Sequence, residues 1–366
     1  MELNKISYLN NGLKIPDLPQ VVEYKKETKR KVTFLIVVLV AIILLGTVVV
    51  TIGPLEISVK EAYQAIGNKM FPRLIEAPED LVANAVWLVR IPRFLAGVLI
   101  GCCLAISGAV MQPVLRNPMA SPFTLGVSSG AGFGATLTII VGWSIGKGTW
   151  LVVGNAFIFS MATSIVILMQ SKQKSMTPTT MILTGVAISY FFSAATSLLQ
   201  YFGEAMATQG VVFWLMGSLA KGTWDTLKFI FPVFLVCVPY LTYKARDLNL
   251  IGTGDDTATA LGVNVKRTRI SLMIIASFLT SAVICFTGTI GFVGLVAPHI
   301  TRIIIGSDNR FVIPASGLLG GFMLAFSDTI AMNIISPVIL PVGIMTSFIG
   351  VPIFVYLIRR MKGGGY

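Results

Sequence analysis

Charge is what this sequence has least of: only 12% of its 366 residues are Asp, Glu, Lys or Arg, while 55% are hydrophobic. Soluble domains carry about 25% charge, so an ordinary soluble fold is excluded. Acids are the scarcer sign, with 16 Asp+Glu against 28 Lys+Arg and a net charge of +12. In a soluble chain that excess would point to nucleic acid. Here no basic helix is interleaved with aromatics, and no nucleic-acid partner is expected. Histidine occurs once, at His299. The four cysteines, Cys102, Cys103, Cys237 and Cys285, all lie inside apolar runs, where they read as small hydrophobes rather than a disulfide framework. One imidazole with no thiol or carboxylate near it has too few ligands to hold a metal. A GxxxxGK[ST] phosphate loop is also missing, so the chain has no cradle of its own for ATP.

Long apolar runs, by contrast, recur along the whole chain, each close to the roughly 20 residues that cross a bilayer core about 30 Å thick. The first, residues 32–52, follows the basic cluster Lys25, Lys26, Lys29, Arg30 and Lys31. It exceeds the 7–15 apolar residues, roughly, of a secretory signal and lacks a small-residue cleavage site. It reads as a retained transmembrane helix behind a disordered basic tail, residues 1–31. Further candidates lie near 93–113, 123–143, 149–169, 179–202, 227–244, 270–289, 290–305, 312–332 and 338–358, which makes ten spans in one transmembrane domain over 32–360, with 361–366 as a short tail. The run at 290–305 is short and holds Pro298, His299 and Arg302, so hydropathy also permits nine. Glycines within the runs, such as Gly97, Gly101 and Gly108, let helices approach closely in lipid. The expected fold is an all-α polytopic bundle. With ten spans and a cytoplasmic N-terminus, most basic residues fall on the inner side, as the positive-inside bias requires. That places the chain as a multi-pass protein of the cell membrane with both termini in the cytoplasm.

Three kinds of membrane protein fit this outline: a channel, a stand-alone secondary carrier, or the membrane subunit of a pump driven from outside the chain. Ion-coupled carriers place ionisable groups at membrane depth. The only acid within the spans is Asp328, near the expected outer end of the ninth, and Glu204 sits at the outer edge of the fifth. A lone acid at a span end reads as an interhelical or helix-end group, which favours an external energy source. The inner loop at about 246–269 has internal order that supports this. Gly254 is a breaker, Asp255 and Asp256 occupy a first helical turn where acids favour the positive helix end, Ala258, Ala260 and Leu261 form an apolar side, and Gly262 is a stop. A solvated loop with a short surface helix has the same composition, but an apolar side facing the cytoplasm calls for a protein partner.

Four blocks then show a resemblance. Residues 89–135 (VRIPRFLAGVLIGCCLAISGAVMQPVLRNPMASPFTLGVSSGAGFGA), 248–265 (LNLIGTGDDTATALGVNV), 288–302 (GTIGFVGLVAPHITR) and 340–358 (LPVGIMTSFIGVPIFVYLI) resemble, in order and spacing, the FecCD-type permeases of ABC importers for iron-siderophore complexes, haem and vitamin B12. The resemblance covers about residues 80–360. It implies ten spans per subunit, a permease homodimer or heterodimer, two cytoplasmic ATPase subunits that use ATP and Mg, and an extracytoplasmic substrate-binding protein. The chain itself would be no enzyme and would bind no cofactor, and the lipid bilayer would be its remaining partner.

By that resemblance residues 253–263 are the helix that couples to the ATPase, with Gly254, Asp255, Asp256, Ala258, Leu261 and Gly262 matching its pattern. Arg90 and Arg93, around Pro92, would dock acids of the binding protein, although a helix end can also snorkel such side chains to headgroups. Many relatives carry Arg where Met332 stands and an acid where Ile339 stands, so docking would lean on the Arg90 and Arg93 pair. Asn117 and Pro118, with Thr177, Pro178 and Thr179, become candidates for an inner gate. Ser189, Ser193 and Ser197 share one helix face by their i+4 spacing and suit either a pathway lining or helix contacts. His299 is structural in this family. The expected cargo is a metal chelate, first a ferric siderophore and then haem or cobalamin; the alternative class is a secondary carrier or channel.

Overall fold

Apolar runs in a bilayer fold as helices because every backbone N–H and C=O must be satisfied within the segment. The computed structural model describes residues 19–53, 55–143, 150–170 and 177–361. The first half of the chain holds α1 (Pro19–Val49), α2 (Val59–Met70), α3 (Asp80–Asn84), a π-helical turn (Ala85–Arg90), α4 (Ile91–Val114), α5 (Val127–Val141), α6 (Leu151–Gln170) and α7 (Pro178–Phe202). The second half holds α8 (Ala205–Leu215), α9 (Trp224–Tyr243), α10 (Ala245–Thr253), α11 (Asp255–Ala260), α12 (Val265–Thr287), α13 (Val293–Ile305), α14 (Asn309–Asn333) and α15 (Val342–Met361). Among the described residues, seven helices are long and apolar enough to cross a membrane, and α5, α8, α13 and α15 add shorter apolar helices. Each expected span overlaps a helix. The count agrees only roughly, since α8 arises in a segment read as an outer loop.

The boundary of α1 also differs from expectation. The basic cluster before residue 32 is helical from Pro19 onward rather than part of a disordered tail. A long-range contact holds its inner end: the Lys31 ammonium lies 5.2 Å over the Phe311 ring of α14. The tail expectations for residues 1–18 and 362–366 lie outside the described residues.

α4 is the central helix, packed against α9, α12, α13 and α14. Small residues make this possible. A Cβ at Gly101 would stand 2.3 Å from the Gly320 carbonyl oxygen of α14, and one at Gly108 would stand 1.6 Å from that of Gly294 in α13. The backbones are thus in direct contact, with no room for a methyl group. Polar side chains at depth bond to carbonyls of neighbouring helices, as Ser107 Oγ donates to Ala276 O at 3.0 Å. At 24 residues, α4 runs about 36 Å and reaches both ends of the bundle. Following the expected orientation, the end bearing Lys31, Asp255 and Asp308 is the inner pole and the end bearing Arg93 and Asp328 the outer pole.

Candidate functional site

The inner pole is built around one carboxylate. Gly254, at φ +148°, separates α10 from α11 in a conformation that side-chain-bearing residues rarely adopt, and Gly262, at φ +87°, ends the segment. Between them Asp255 opens α11. Its carboxylate accepts from Arg269 Nη1 at 3.1 Å and Arg269 Nη2 at 2.9 Å, and also from Arg116 Nη2. Both arginines are anchored in turn: Arg269 Nε donates to Val114 O at 3.2 Å and Arg116 Nε to Ile251 O at 3.1 Å. One acid therefore ties the short helix α11 to the end of α4 and the start of α12. Partial burial raises the Asp255 carboxyl, but the bonds and charges of Arg269 and Arg116 outweigh it and hold the group below its usual range.

The two acids of α11 do different things. Asp255 is half-buried in the clamp, whereas Asp256 is exposed. The expected apolar side divides likewise. Ala258 is fully buried with Ile251 and Val265, while Leu261 is 62% exposed. What remains for a partner to touch is the exposed surface from Asp256 to Gly262 apart from Ala258, with Leu261 as its large apolar side chain.

A second lattice supports α10. Asn249 Oδ1 accepts from the Asn309 backbone N and from Asn309 Nδ2, both at 2.8 Å, and its Nδ2 donates to Asp308 Oδ1 at 2.9 Å. Arg302 Nη2 donates to Ala109 O of α4 at 3.0 Å and to Asn309 Oδ1 at 3.1 Å. Burial raises the Asp308 carboxyl, yet bonds from Arg310 and Asn249 bring it down to about 2. None of Arg116, Asn249, Arg269, Asp308 or Asn309 stood out in the sequence as a site residue. The available signal was one loop acid with arginines bordering the apolar runs on either side of it.

At the outer pole Arg90 and Arg93, the residues expected to dock the binding protein, are both bonded within the chain. Arg93 is 7% exposed and bonds Asp328, 3% exposed, through two parallel contacts of 2.8 Å. Arg90, 8% exposed, donates through Nη1 to Val50 O at 2.7 Å and through Nη2 to Leu55 O. Both guanidinium groups are engaged within the chain, because a buried charge left without a partner is strongly destabilising. Asp328 is the interhelical partner that its position at a span end suggested. Met332 is buried one turn beyond it and Ile339 is 44% exposed.

Each candidate gate turn is closed by its own residues. Asn117 Oδ1 accepts from Met119 N at 2.8 Å ahead of the exposed Pro118. Thr177 caps α7 by accepting from Thr180 N at 3.2 Å, with Pro178 and Thr179 in the first turn. Of the serine face, Ser189 is half-buried and donates to Gly185 O at 2.8 Å, while Ser193 and Ser197 are exposed. Nearby on α7, Tyr190, Phe191, Tyr201 and Phe202 are exposed as well. Between α8, α13 and α15 lies an apolar cleft of about 710 Å³ lined by Phe123, Met216, Phe292 and Phe348 among others. Phe292 holds φ +64° there, an uncommon conformation for a bulky residue. His299 packs edge-on against Phe354, with ring centroids 6.0 Å apart.

Comparison with known proteins agrees with this arrangement. A protein of Methanocaldococcus jannaschii named as an ABC transporter permease is 41% identical over 94% of this chain and 99% of its own length. The hemin transport system permease protein of Yersinia pestis is 37% identical over 76% of this chain and 84% of its own. Other relatives are named for molybdate, cobalamin and ferric citrate import. A solved structure described as a metal-chelate type ABC transporter, inward-facing, matches with a TM-score of 0.79 at 29% identity, over 90% of this chain and 99% of that one. The FecCD transport family matches from residue 31 to residue 360, and the chain belongs to that family.

Proposed function

We propose that this chain is the membrane-spanning permease subunit of a binding-protein-dependent ABC importer and that it carries a metal chelate into the cytoplasm by alternating access. The observation that carries the reading is the clamp at Asp255. A short helix with an exposed Asp256 and Leu261 at its tip is wired by two arginines to α4 and α12, so a push on that tip reaches the core of the bundle. Hydrolysis of ATP with Mg belongs to two separate subunits seated under this helix, and the permease itself binds no cofactor. Both termini are cytoplasmic in this reading. The exposed aromatic residues of α7, with Phe348 and Tyr356 of α15, suit the face where a second permease subunit closes the pathway, with Ser193 and Ser197 along it. Binding-protein docking then uses outer-pole surface other than the Arg90 and Arg93 guanidinium groups, which are spent inside the chain.

A ferric siderophore is the proposed cargo. Its iron is fully ligated by the chelator, so the pathway needs only weak contacts. Haem is a second reading, favoured by the phenylalanine-lined cleft and by a relative named for hemin. The test is uptake by the assembled transporter in proteoliposomes against a panel of ferric siderophores, haem and cobalamin. ATP-dependent, ionophore-insensitive uptake of a ferric siderophore supports the reading. Uptake that needs an ion gradient and ignores ATP contradicts it, and uptake confined to haem selects the second cargo.

A further inference from the structure

α1 changes chemistry along a single face. Its inward side is buried at Lys31, Val38, Ile42 and Val49. Its opposite side exposes Ile36, Val37, Val40, Ile43 and Leu44, each between 47% and 59%. In a spanning helix that side meets lipid acyl chains. Steps of three and four residues keep to one helix face, and continuing them from Val37 and Ile36 toward the N-terminus leads through Thr33 to Arg30, Lys29 and Lys26. All four are exposed, and the helix is unbroken from Pro19 to Val49. At 1.5 Å per residue, Arg30 lies about 3 Å and Lys26 about 9 Å beyond the start of the apolar run. Arg30 and Lys29 fall within the headgroup layer, which extends roughly 5–8 Å outside the hydrocarbon on each side, and Lys26 stands at its outer edge.

The face cannot turn toward the bundle. Lys31, on the inward side, is held over Phe311 of α14, and the buried Val38, Ile42 and Val49 continue that side, which fixes the rotation of α1. A protein seated on α11 would lie under the bundle, whereas this cationic stripe looks sideways, directly beneath the surface that acyl chains cover. We propose that Lys26, Lys29 and Arg30 form a binding site for the headgroup phosphates of anionic lipid in that leaflet. The site tethers the extended end of α1 to the membrane surface.

The experiment uses the full-length chain in nanodiscs of phosphatidylcholine containing a minor fraction of phosphatidylglycerol. Retained lipid is counted by native mass spectrometry. Near an anionic surface each basic group contributes roughly a fivefold preference. The combined Lys26→Gln, Lys29→Gln, Arg30→Gln variant should therefore lose the phosphatidylglycerol excess by about tenfold or more. A Lys26→Arg, Lys29→Arg variant should keep that excess, and high salt should erase it in the wild type. The control Arg246→Gln, Lys266→Gln, Arg267→Gln removes the same charge elsewhere on the inner pole and should keep the excess. The proposal is overturned if the α1 variant retains the wild-type excess or if the control loses it equally. It is also overturned if the α1 variant keeps its lipid but no longer co-purifies with the ATPase subunits.

Discussion

At its two ends α4 meets the same chemistry in opposite settings. At the outer pole Arg93 and Asp328 form a bidentate pair in which both partners are buried. At the inner pole Arg269 is equally buried, but its partner Asp255 has a side chain 40% exposed and shares itself with Arg116, 36% exposed. A closed pair joins two helices, α4 and α14, and has nothing left to offer. An open pair joins three elements and leaves a helix tip in solvent. Arginine–carboxylate geometry is thus not itself the signature of a working site. The difference lies in whether the linked element still presents a surface.

The sharpest way to break this contrast is to remove one partner at each pole. Arg93→Ala leaves a buried carboxylate unpaired and should cost about 3–5 kcal/mol, seen as a collapse in folded yield or a large drop in melting temperature in detergent. Replacing both Arg93 and Asp328 with apolar residues should recover much of it. Arg269→Ala should cost only about 1–2 kcal/mol by the same melting assay, because the carboxylate left behind has a side chain 40% exposed, is screened by solvent and keeps Arg116. Equal losses at the two poles would erase the distinction.

Acid sharpens it further. The folded Asp255 carboxyl lies below its ordinary value, so the clamp's stabilisation is complete above about pH 4 and is lost as pH falls through the lowered value. Melting temperature should show no step from this group between about pH 5 and 8. Below that range it should show a decline that is smaller in the Asp255→Asn variant. The smallest effect on stability belongs to Leu261→Ala. An exposed side chain should shift stability by no more than about 0.5 kcal/mol, yet co-purification with the ATPase subunits should weaken severalfold.

The helices over the apolar runs were legible because bilayer length and hydropathy dictate them. So were the limits of α11, because Gly254 and Gly262 interrupt the chain where only glycine is at ease. What the sequence hid were pairings across distance. Arg93 and Asp328 are separated by 235 residues, and Arg116 reaches Asp255 across 139, so no local spacing could match them. This is why Asp328 read as a lone acid at a span end. The early start of α1 was not legible either, since polar composition suggested a tail, and the contact of Lys31 with Phe311 comes from the far end of the chain. The eleven residues of α8 are apolar but fall below any span length, so they did not register as a span.

On the proposed function, the clamp at Asp255 transmits work from outside the chain into the bundle. The most direct measurement is the number of chelates imported per ATP hydrolysed by the complete transporter in proteoliposomes, wild type against Asp255→Asn. Hydrolysis should continue while the ratio falls by about tenfold or more, the equivalent of about 1.4 kcal/mol of lost coupling. An unchanged ratio in a folded, fully assembled variant would contradict it.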